Sequence, residues 1–180
     1  MKKYALFSGM LIPVWLFCGV LIAGSLYPGY SHVDQAMSEL GALEAPTHQL
    51  SPIINNFPLG VLFLLFGGAV VSLFSGARLA QFSGLLLMLH GLASISAGLF
   101  ACDPGCNPVE PSPDQVLHNL SGLVMFASLT LANLLWVYLA RKRLGATGFS
   151  WFSLVCLIVS LAVMPLMAAA VESGEAFGLY

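Results

Sequence analysis

The stretch Leu79–Phe100, LAQFSGLLLMLHGLASISAGLF, decides the fold of this chain. It holds no aspartate, glutamate, lysine or arginine, and it reaches the length of about 20 apolar residues that a helix needs to cross a bilayer. Arg78 stands directly before it, and Asp103 follows shortly after it. Because a charged side chain is expelled from hydrocarbon, these two residues mark opposite surfaces of a membrane.

Four further apolar stretches surround this one, so the sequence predicts an all-α fold, a polytopic transmembrane helical bundle with five spans in a single domain, residues 1–180. The predicted spans are Tyr4–Tyr27, Phe57–Ala77, Leu79–Phe100, Val116–Ala140 and Phe149–Val171. Of the 180 residues, 58% are hydrophobic and 8% are charged, whereas a soluble domain carries roughly 25% charged residues. The first span exceeds the apolar core of a signal peptide, about 7–15 residues, so we expect it to be retained.

The charged residues separate onto the two sides of the predicted spans. The lysines and arginines fall on one side, and they are Lys2, Lys3, Arg78, Arg141, Lys142 and Arg143. The carboxylates fall on the other, and they are Asp34, Glu39, Glu44, Asp103, Glu110, Asp114, Glu172 and Glu175. Short loops that carry lysine and arginine stay in the cytoplasm, so the N-terminus is predicted inside and the C-terminus outside. Membrane lipids are the expected partners, and the absence of a large basic patch argues against nucleic acid.

Glycines recur every seven residues in two neighbouring spans. They are Gly60 and Gly67 in the second span and Gly84, Gly91 and Gly98 in the third. Small residues on one stripe let helix backbones approach closely, which is how membrane helices associate. The glycine faces therefore predict helix packing, within the chain, in a homo-oligomer or with a partner membrane protein.

The longer outward connection contains the segment Ser31–Gly41, which has the pattern of a short amphipathic helix. Ser31 can cap its start, and Gly41 can supply the left-handed residue that ends it. The apolar residues that would share one face are Val33, Ala36, Met37 and Leu40. Such a face is expected to lie on the membrane surface or on top of the bundle.

The second outward connection begins with Cys102-Asp103-Pro104-Gly105-Cys106, a turn between two cysteines. The turn can bring their Cα atoms within the ~4.4–6.8 Å of a disulfide, and the outer compartment of bacteria is oxidising. The sequence therefore predicts a Cys102–Cys106 disulfide. The alternative is a metal site formed by Cys102, Cys106 and His118, which would still need a further ligand. No other cofactor is expected.

The fourth span is predicted to begin with a capped turn. Ser112 caps it, Pro113 takes the first helical position, and Gln115 reaches back to the cap. His118 lies one turn further on, where it can bond to Asp114 or a loop carbonyl as a structural residue. The alternative is a role as a general base or a metal ligand.

The outward polar residues suggest a site at the helix ends. The predicted catalytic set is Ser38, Glu39, Asp103 and His118. A hydrolase would use a nucleophile activated by the histidine, or metal-bound water, with a carboxylate that orients the base. Within the membrane, His90 and Ser94 are the polar candidates, although such residues more often join helices than line a pathway.

Three motifs together resemble a known family, namely Ser38-Glu39-Leu40-Gly41, Cys102–Cys106 and His118-Asn119-Leu120-Ser121-Gly122. Most of the chain resembles the prokaryotic integral membrane family called domain of unknown function 998. The resemblance implies a multi-pass protein of the prokaryotic cytoplasmic (inner) membrane and no established activity. Members usually continue past a stretch like Gly178-Leu179-Tyr180 into a further span, so a five-span member and a chain with one more helix both stay open.

Three functions fit these features. The first is an outward-facing polar site that binds or processes a lipid or small molecule, with or without catalysis. The second is a non-enzymatic membrane scaffold or accessory subunit. The third is a small transporter, which is disfavoured because the chain shows neither an inverted repeat nor carboxylates in the middle of its spans.

Overall fold

The computed structural model describes residues 2–173 and residue 178, and it has no β-strand in that part of the chain. The α-helices are α1 (Lys2–Ser25), α2 (Leu50–Ile54), α3 (Asn56–Leu73), α4 (Arg78–Leu99), α5 (Pro113–Leu144) and α6 (Thr147–Ser173). Short 3₁₀ helices at Met37–Gly41 and Pro104–Cys106 lie in the connections. Glu175, Leu179 and Tyr180 lie outside the described residues, as do the side chains of Lys2, Lys3 and Glu172.

Five helical stretches are long and apolar enough to cross a membrane, which confirms the predicted number of spans. They are Ala5–Ser25, Leu50–Leu73, Arg78–Leu99, Pro113–Leu144 and Thr147–Ala170. Neighbours in sequence are neighbours in space, since α1 packs on α3, α3 on α4, α4 on α5, and α5 on α6. The largest apolar core cluster lies between α3, α4 and α5, and its buried members are Phe63, Val70, Leu86, Leu87 and Ala132.

The fourth spanning helix is longer than the predicted Val116–Ala140. It begins at Pro113 and continues through the basic residues to Leu144, where Gly145 ends it in the left-handed conformation with φ of 63°. Lysine and arginine are good helix formers, and they complement the negative end of the helix dipole. The basic residues therefore mark the end of the apolar stretch and not the end of the helix.

The alternating course of the spans gives the bundle two chemically different ends. The end that carries the α3–α4 and α5–α6 connections, called here the basic end, holds Arg78, Arg141, Lys142 and Arg143. The opposite end, called the acidic end, holds Asp34, Glu39, Glu44, Asp103, Glu110 and Asp114. Charges of opposite sign are thus kept apart by the full length of the spans.

Glycines set the distance between α3 and α4. A Cβ built on Gly67 would lie 2.5 Å from the carbonyl oxygen of Gly84, and one on Gly91 would lie 2.6 Å from that of Gly60. Any larger residue would push the two backbones apart, because real Cβ atoms do not approach carbonyl oxygens so closely. The seven-residue glycine pattern therefore serves helix packing within the chain, which is one of the three alternatives predicted from the sequence.

The first connection at the acidic end differs from its prediction in two respects. The short helix covers only Met37–Gly41, because Ala36 is extended, with φ of −68° and ψ of 146°. Ser31 does cap, but it caps a turn, since its hydroxyl accepts from the amides of Val33 and Asp34. The prediction of a left-handed Gly41 is wrong, since that residue is not among those with positive φ.

The glycine contacts generate a prediction with a control at the next residue. Gly67→Ala should lower the thermal midpoint of the purified protein, because overpacking costs about 1–3 kcal/mol. Gly68→Ala should keep or raise the midpoint, since nothing beyond its chain neighbours and its own helix backbone lies within 4 Å of its Cβ position and alanine is the better helix former. Thermal unfolding in detergent, followed by circular dichroism, measures both, and equal midpoints for the two variants would contradict the packing described.

Candidate functional site

The two connections at the acidic end are joined to each other. The amide of Leu43 donates to the carbonyl oxygen of Cys102 at 2.8 Å. The Sγ of the same cysteine lies 3.6 Å from the carbonyl oxygen of Ser38, and this side chain has no exposed surface. The second connection is therefore packed against the first, over the ends of the spanning helices.

The predicted disulfide between Cys102 and Cys106 is confirmed, with a Cα–Cα distance of 5.0 Å. Gly105 and Cys106 take left-handed φ angles of 72° and 54°, which close the turn between the two thiols. Sulfurs joined in this way are not the thiolates that bind zinc. Within the described residues no group of three or more histidine, cysteine, aspartate or glutamate side chains is placed to hold a metal ion.

Gln115 fastens this disulfide loop to the start of α5. Its Oε1 accepts from the amide of Asp103 at 2.8 Å, and its Nε2 donates to the carbonyl of Cys106 at 3.3 Å and to Oδ1 of Asn119 at 2.9 Å. The side chain is 1% exposed. The predicted cap is present, since the Ser112 hydroxyl accepts from the Gln115 amide, but the glutamine side chain holds the loop and does not reach back to the cap.

The two carboxylates of the predicted catalytic set, Glu39 and Asp103, each accept a hydrogen bond from a backbone amide. Glu39 accepts from the amide of Ala36 through Oε1 at 2.8 Å and from the Nε2 of Gln35 through Oε2 at 2.7 Å. Asp103 accepts from the amide of Ser112 at 2.9 Å. Glu39 lines a cavity at this end, whereas Asp103 is not among the residues that line the cavities described below.

Tyr30, which lies near Glu39, has a raised pKa. Burial, and secondly the negative charge of Glu39, raise the pKa of Tyr30 to about 12 from its usual 10.0. The Tyr30 hydroxyl donates to the carbonyl oxygen of Ala36 at 3.1 Å. Burial and the nearby carboxylate therefore both disfavour the phenolate form of Tyr30.

His118 is held by the carbonyl end of α4 and not by Asp114. Its Nδ1 lies 2.8 Å from the carbonyl oxygen of Phe100 and 3.1 Å from that of Ala97. A carbonyl oxygen can only accept, so Nδ1 carries the proton that makes these bonds. The other ring nitrogen, Nε2, makes no hydrogen bond to the described residues and can serve a bound molecule.

His118 lines two cavities. The outer cavity, of about 460 Å³, lies under the loops and is lined by Asp34, Gln35, Ala36, Ser38, Glu39, Gly105, Cys106, Asn107, His118, Asn119 and Ala170. The inner cavity, of about 230 Å³, reaches towards the bundle core between α1, α3, α4 and α5. Ser38 and His118 line both cavities. These two residues therefore stand where polar surface passes into apolar interior.

The inner cavity is mostly apolar, and Ser94 and Asn55 are among the polar residues that line it. The Ser94 hydroxyl donates to the carbonyl oxygen of Asn56 at 2.9 Å, across α3 and α4. The Oδ1 of Asn55 is buried without a hydrogen-bond partner among the described residues. It lies against α1, 2.0 Å from the position of a Cβ on Gly19, so only a glycine leaves room for it.

His90 lies deeper, beside a third cavity of about 690 Å³ on the basic half of the bundle. Its Nδ1 bonds to the carbonyl oxygen of Met125 at 2.9 Å, and its ring centroid is 4.1 Å from that of Phe63. The histidine therefore joins α4 to α5, the structural role weighed for it in the sequence. Met125 also lines the inner cavity, so it stands between the two.

Three of the four residues predicted from the sequence as a catalytic set lie around one cavity, and the fourth, Asp103, does not. Ser38, Glu39 and His118 share the outer cavity, and no hydrogen bond joins the Ser38 hydroxyl to His118 among the described contacts. Asn55 and Gln115 were missed as site-forming residues. The one available signal for them was a polar amide directly beside a long apolar stretch, which marks a group that must find a partner when buried.

Comparisons with known proteins give one match. The model of a family described as "Protein of unknown function (DUF998)" matches residues 10–180. No curated protein and no solved structure matches the chain.

The buried glutamine gives the first prediction from this site. Gln115→Leu should free the disulfide loop, because each buried polar group left unpaired costs about 1–3 kcal/mol. Hydrogen–deuterium exchange should rise at the Asp103 amide. Asn107→Ala, which changes an exposed side chain of the same loop, should leave that exchange unchanged, and an unchanged rate in Gln115→Leu would refute the role of the glutamine.

Tyr30 gives a prediction about pH. Because its pKa is raised to about 12, the unfolded chain loses this proton at a lower pH than the folded protein does. The contribution to stability is therefore complete below pH 10 and is lost as pH rises towards 12. The absorbance of the Tyr30 phenolate, identified as the part of the signal that Tyr30→Phe removes, should appear with a midpoint near pH 12. Glu39→Gln should lower that midpoint, because it removes the nearby negative charge. A midpoint unaffected by Glu39→Gln would show that the carboxylate does not act on the tyrosine.

Proposed function

We propose that this chain, which belongs to the DUF998 family of integral membrane proteins, binds a membrane amphiphile at its acidic end. The description of the family states no activity. The polar head lies in the outer cavity, and the hydrocarbon chain enters the inner cavity. The observation that carries the proposal is that Ser38 and His118 line both cavities. A ligand with one polar and one apolar part matches that change of surface.

The charges of the outer cavity select the head group. Its walls include Asp34 and Glu39, and no lysine or arginine is among the residues that line it. A phosphate or carboxylate head would meet like charge, which costs several kcal/mol at close range. The head group is therefore uncharged or cationic, such as a polyol or an amine.

His118 supplies the contact to that head group. Its Nδ1 is committed to the carbonyls of Ala97 and Phe100, which fixes the ring and leaves Nε2 to accept from a hydroxyl or an ammonium. Asn119 offers an amide in the same cavity. The proposal is binding without catalysis, because a nucleophile would need a hydrogen bond to its base and Ser38 makes none to His118.

Membrane orientation forms part of the same proposal. The basic end faces the cytoplasm of a prokaryotic cell and the acidic end faces outward, by the bias of lysine and arginine in short loops. The Cys102–Cys106 disulfide supports this orientation, since it belongs to an oxidising compartment. The site is then open to the outer leaflet.

The test compares two probes with the same chain and different heads, monooleoylglycerol and oleoyl lysophosphatidate, on protein in nanodiscs by native mass spectrometry. The uncharged probe should bind at least about tenfold more tightly, because the carboxylates repel the phosphate. Equal affinity for the two would contradict the assigned head group. A wild-type protein that binds neither would favour the scaffold alternative.

His118 variants then test the residue. His118→Asn keeps a donor near the position of Nδ1 and removes Nε2, so it should retain the thermal midpoint and lose monooleoylglycerol binding. His118→Ala should lose both, because the α4 carbonyls are left unpaired. His32→Asn, in the first connection at the acidic end and outside both cavities, should bind as wild type does. Unaltered binding by His118→Asn would exclude Nε2 as the contact.

A further inference from the structure

A separate cavity of about 580 Å³ lies at the basic end, between α5 and α6. Its walls carry five side chains that can donate hydrogen bonds, which are Tyr138, Arg141, Lys142, Ser150 and Trp151. No carboxylate is among the residues that line it. Donor side chains around two positive charges form the complement of an anion.

The two cations have no counter-ion in the described protein. Arg141 and Lys142 form no ion pair, and the described carboxylates lie at the opposite end of the bundle. The ammonium of Lys142 lies 5.3 Å from the ring centroid of Tyr138, which holds it beside the cavity without neutralising it. Cations placed without partners at the end of a membrane span attract the charge of anionic lipids.

A hydrogen bond between α5 and α6 fixes the walls of this cavity, and Leu154 makes one side of it apolar. Ser150, which is 6% exposed, donates to the carbonyl of Val137 at 2.5 Å, so the two helices are joined at the cavity itself. Leu154 lines the side that faces the spans, and Trp151 is 59% exposed. An indole at such a depth is typical of the membrane interface.

From these observations we infer that the cleft between α5 and α6 binds the phosphate of an anionic membrane phospholipid. Arg141 and Lys142 hold the phosphate, the Tyr138 hydroxyl and the Trp151 indole N–H donate to its oxygens or to the glycerol, and an acyl chain lies along Leu154. The site is independent of the acidic-end cavities, since they share no residue.

The experiment uses variants matched in charge. The double variant Arg141→Gln/Lys142→Gln removes two positive charges that line the cleft, and Arg78→Gln/Arg143→Gln removes two from the same end that do not line it. Each protein is titrated with dioleoylphosphatidylglycerol in nanodiscs of phosphatidylcholine and followed by native mass spectrometry. The cleft variant should lose about tenfold or more in affinity, given the attraction of each interfacial cation for anionic lipid, and the control much less.

Three other results would overturn the inference. Equal losses in the two double variants would show a diffuse surface potential and no site. Glycerol phosphate that competes as well as the phospholipid would show that the cleft takes the free anion and not the lipid. Wild-type protein with no preference for phosphatidylglycerol over phosphatidylcholine would exclude an anionic ligand. Monooleoylglycerol binding, measured on the cleft variant, reports separately on the acidic end.

Discussion

The cost of placing an ion in hydrocarbon governs this molecule. It drives the carboxylates to one end of the bundle and the lysines and arginines to the other, and it leaves only neutral side chains to join the helices between them. That middle is held by glycine-to-carbonyl contacts between α3 and α4 and by single hydrogen bonds such as His90 to the carbonyl of Met125. The outer cavity and the cleft between α5 and α6 accordingly lie at the two ends, beside the charged residues.

Backbone carbonyls orient three of the four histidines in the same way. His48 bonds through Nδ1 to the carbonyl of Gly41, His90 to that of Met125, and His118 to those of Ala97 and Phe100. At His118 the acceptors are the carbonyls of Ala97, in the last turn of α4, and of Phe100, the residue that follows the helix. Carbonyls at a helix end have no partner within the helix. The same bond that completes a helix end also leaves the second imidazole nitrogen without a partner among the described residues, so the proposed binding depends on a contact that also stabilises the bundle.

The sequence was sufficient for the spans and for the glycine contacts, because hydropathy and seven-residue spacing are local patterns. It failed where local and distant partners compete. Ser31–Gly41 has the pattern of one helix, but Glu39 takes the Ala36 amide and divides it. Gln115 has the pattern of a cap, yet its partners Asp103 and Cys106 become available only when the loop folds back. His118 was identified as a candidate, whereas its carbonyl partners on α4 depend on how two helices are placed side by side.

The length of α5 makes the protein responsive to bilayer thickness. Its 32 residues extend about 48 Å, whereas the hydrocarbon core of a membrane is about 30 Å thick. A helix with such an excess tilts or raises its ends into the headgroup region. This one helix carries His118 near one end and Arg141 near the other. A thinner membrane would therefore expose the acidic-end cavities and the cleft between α5 and α6 to water, and a thicker membrane would draw both into lipid.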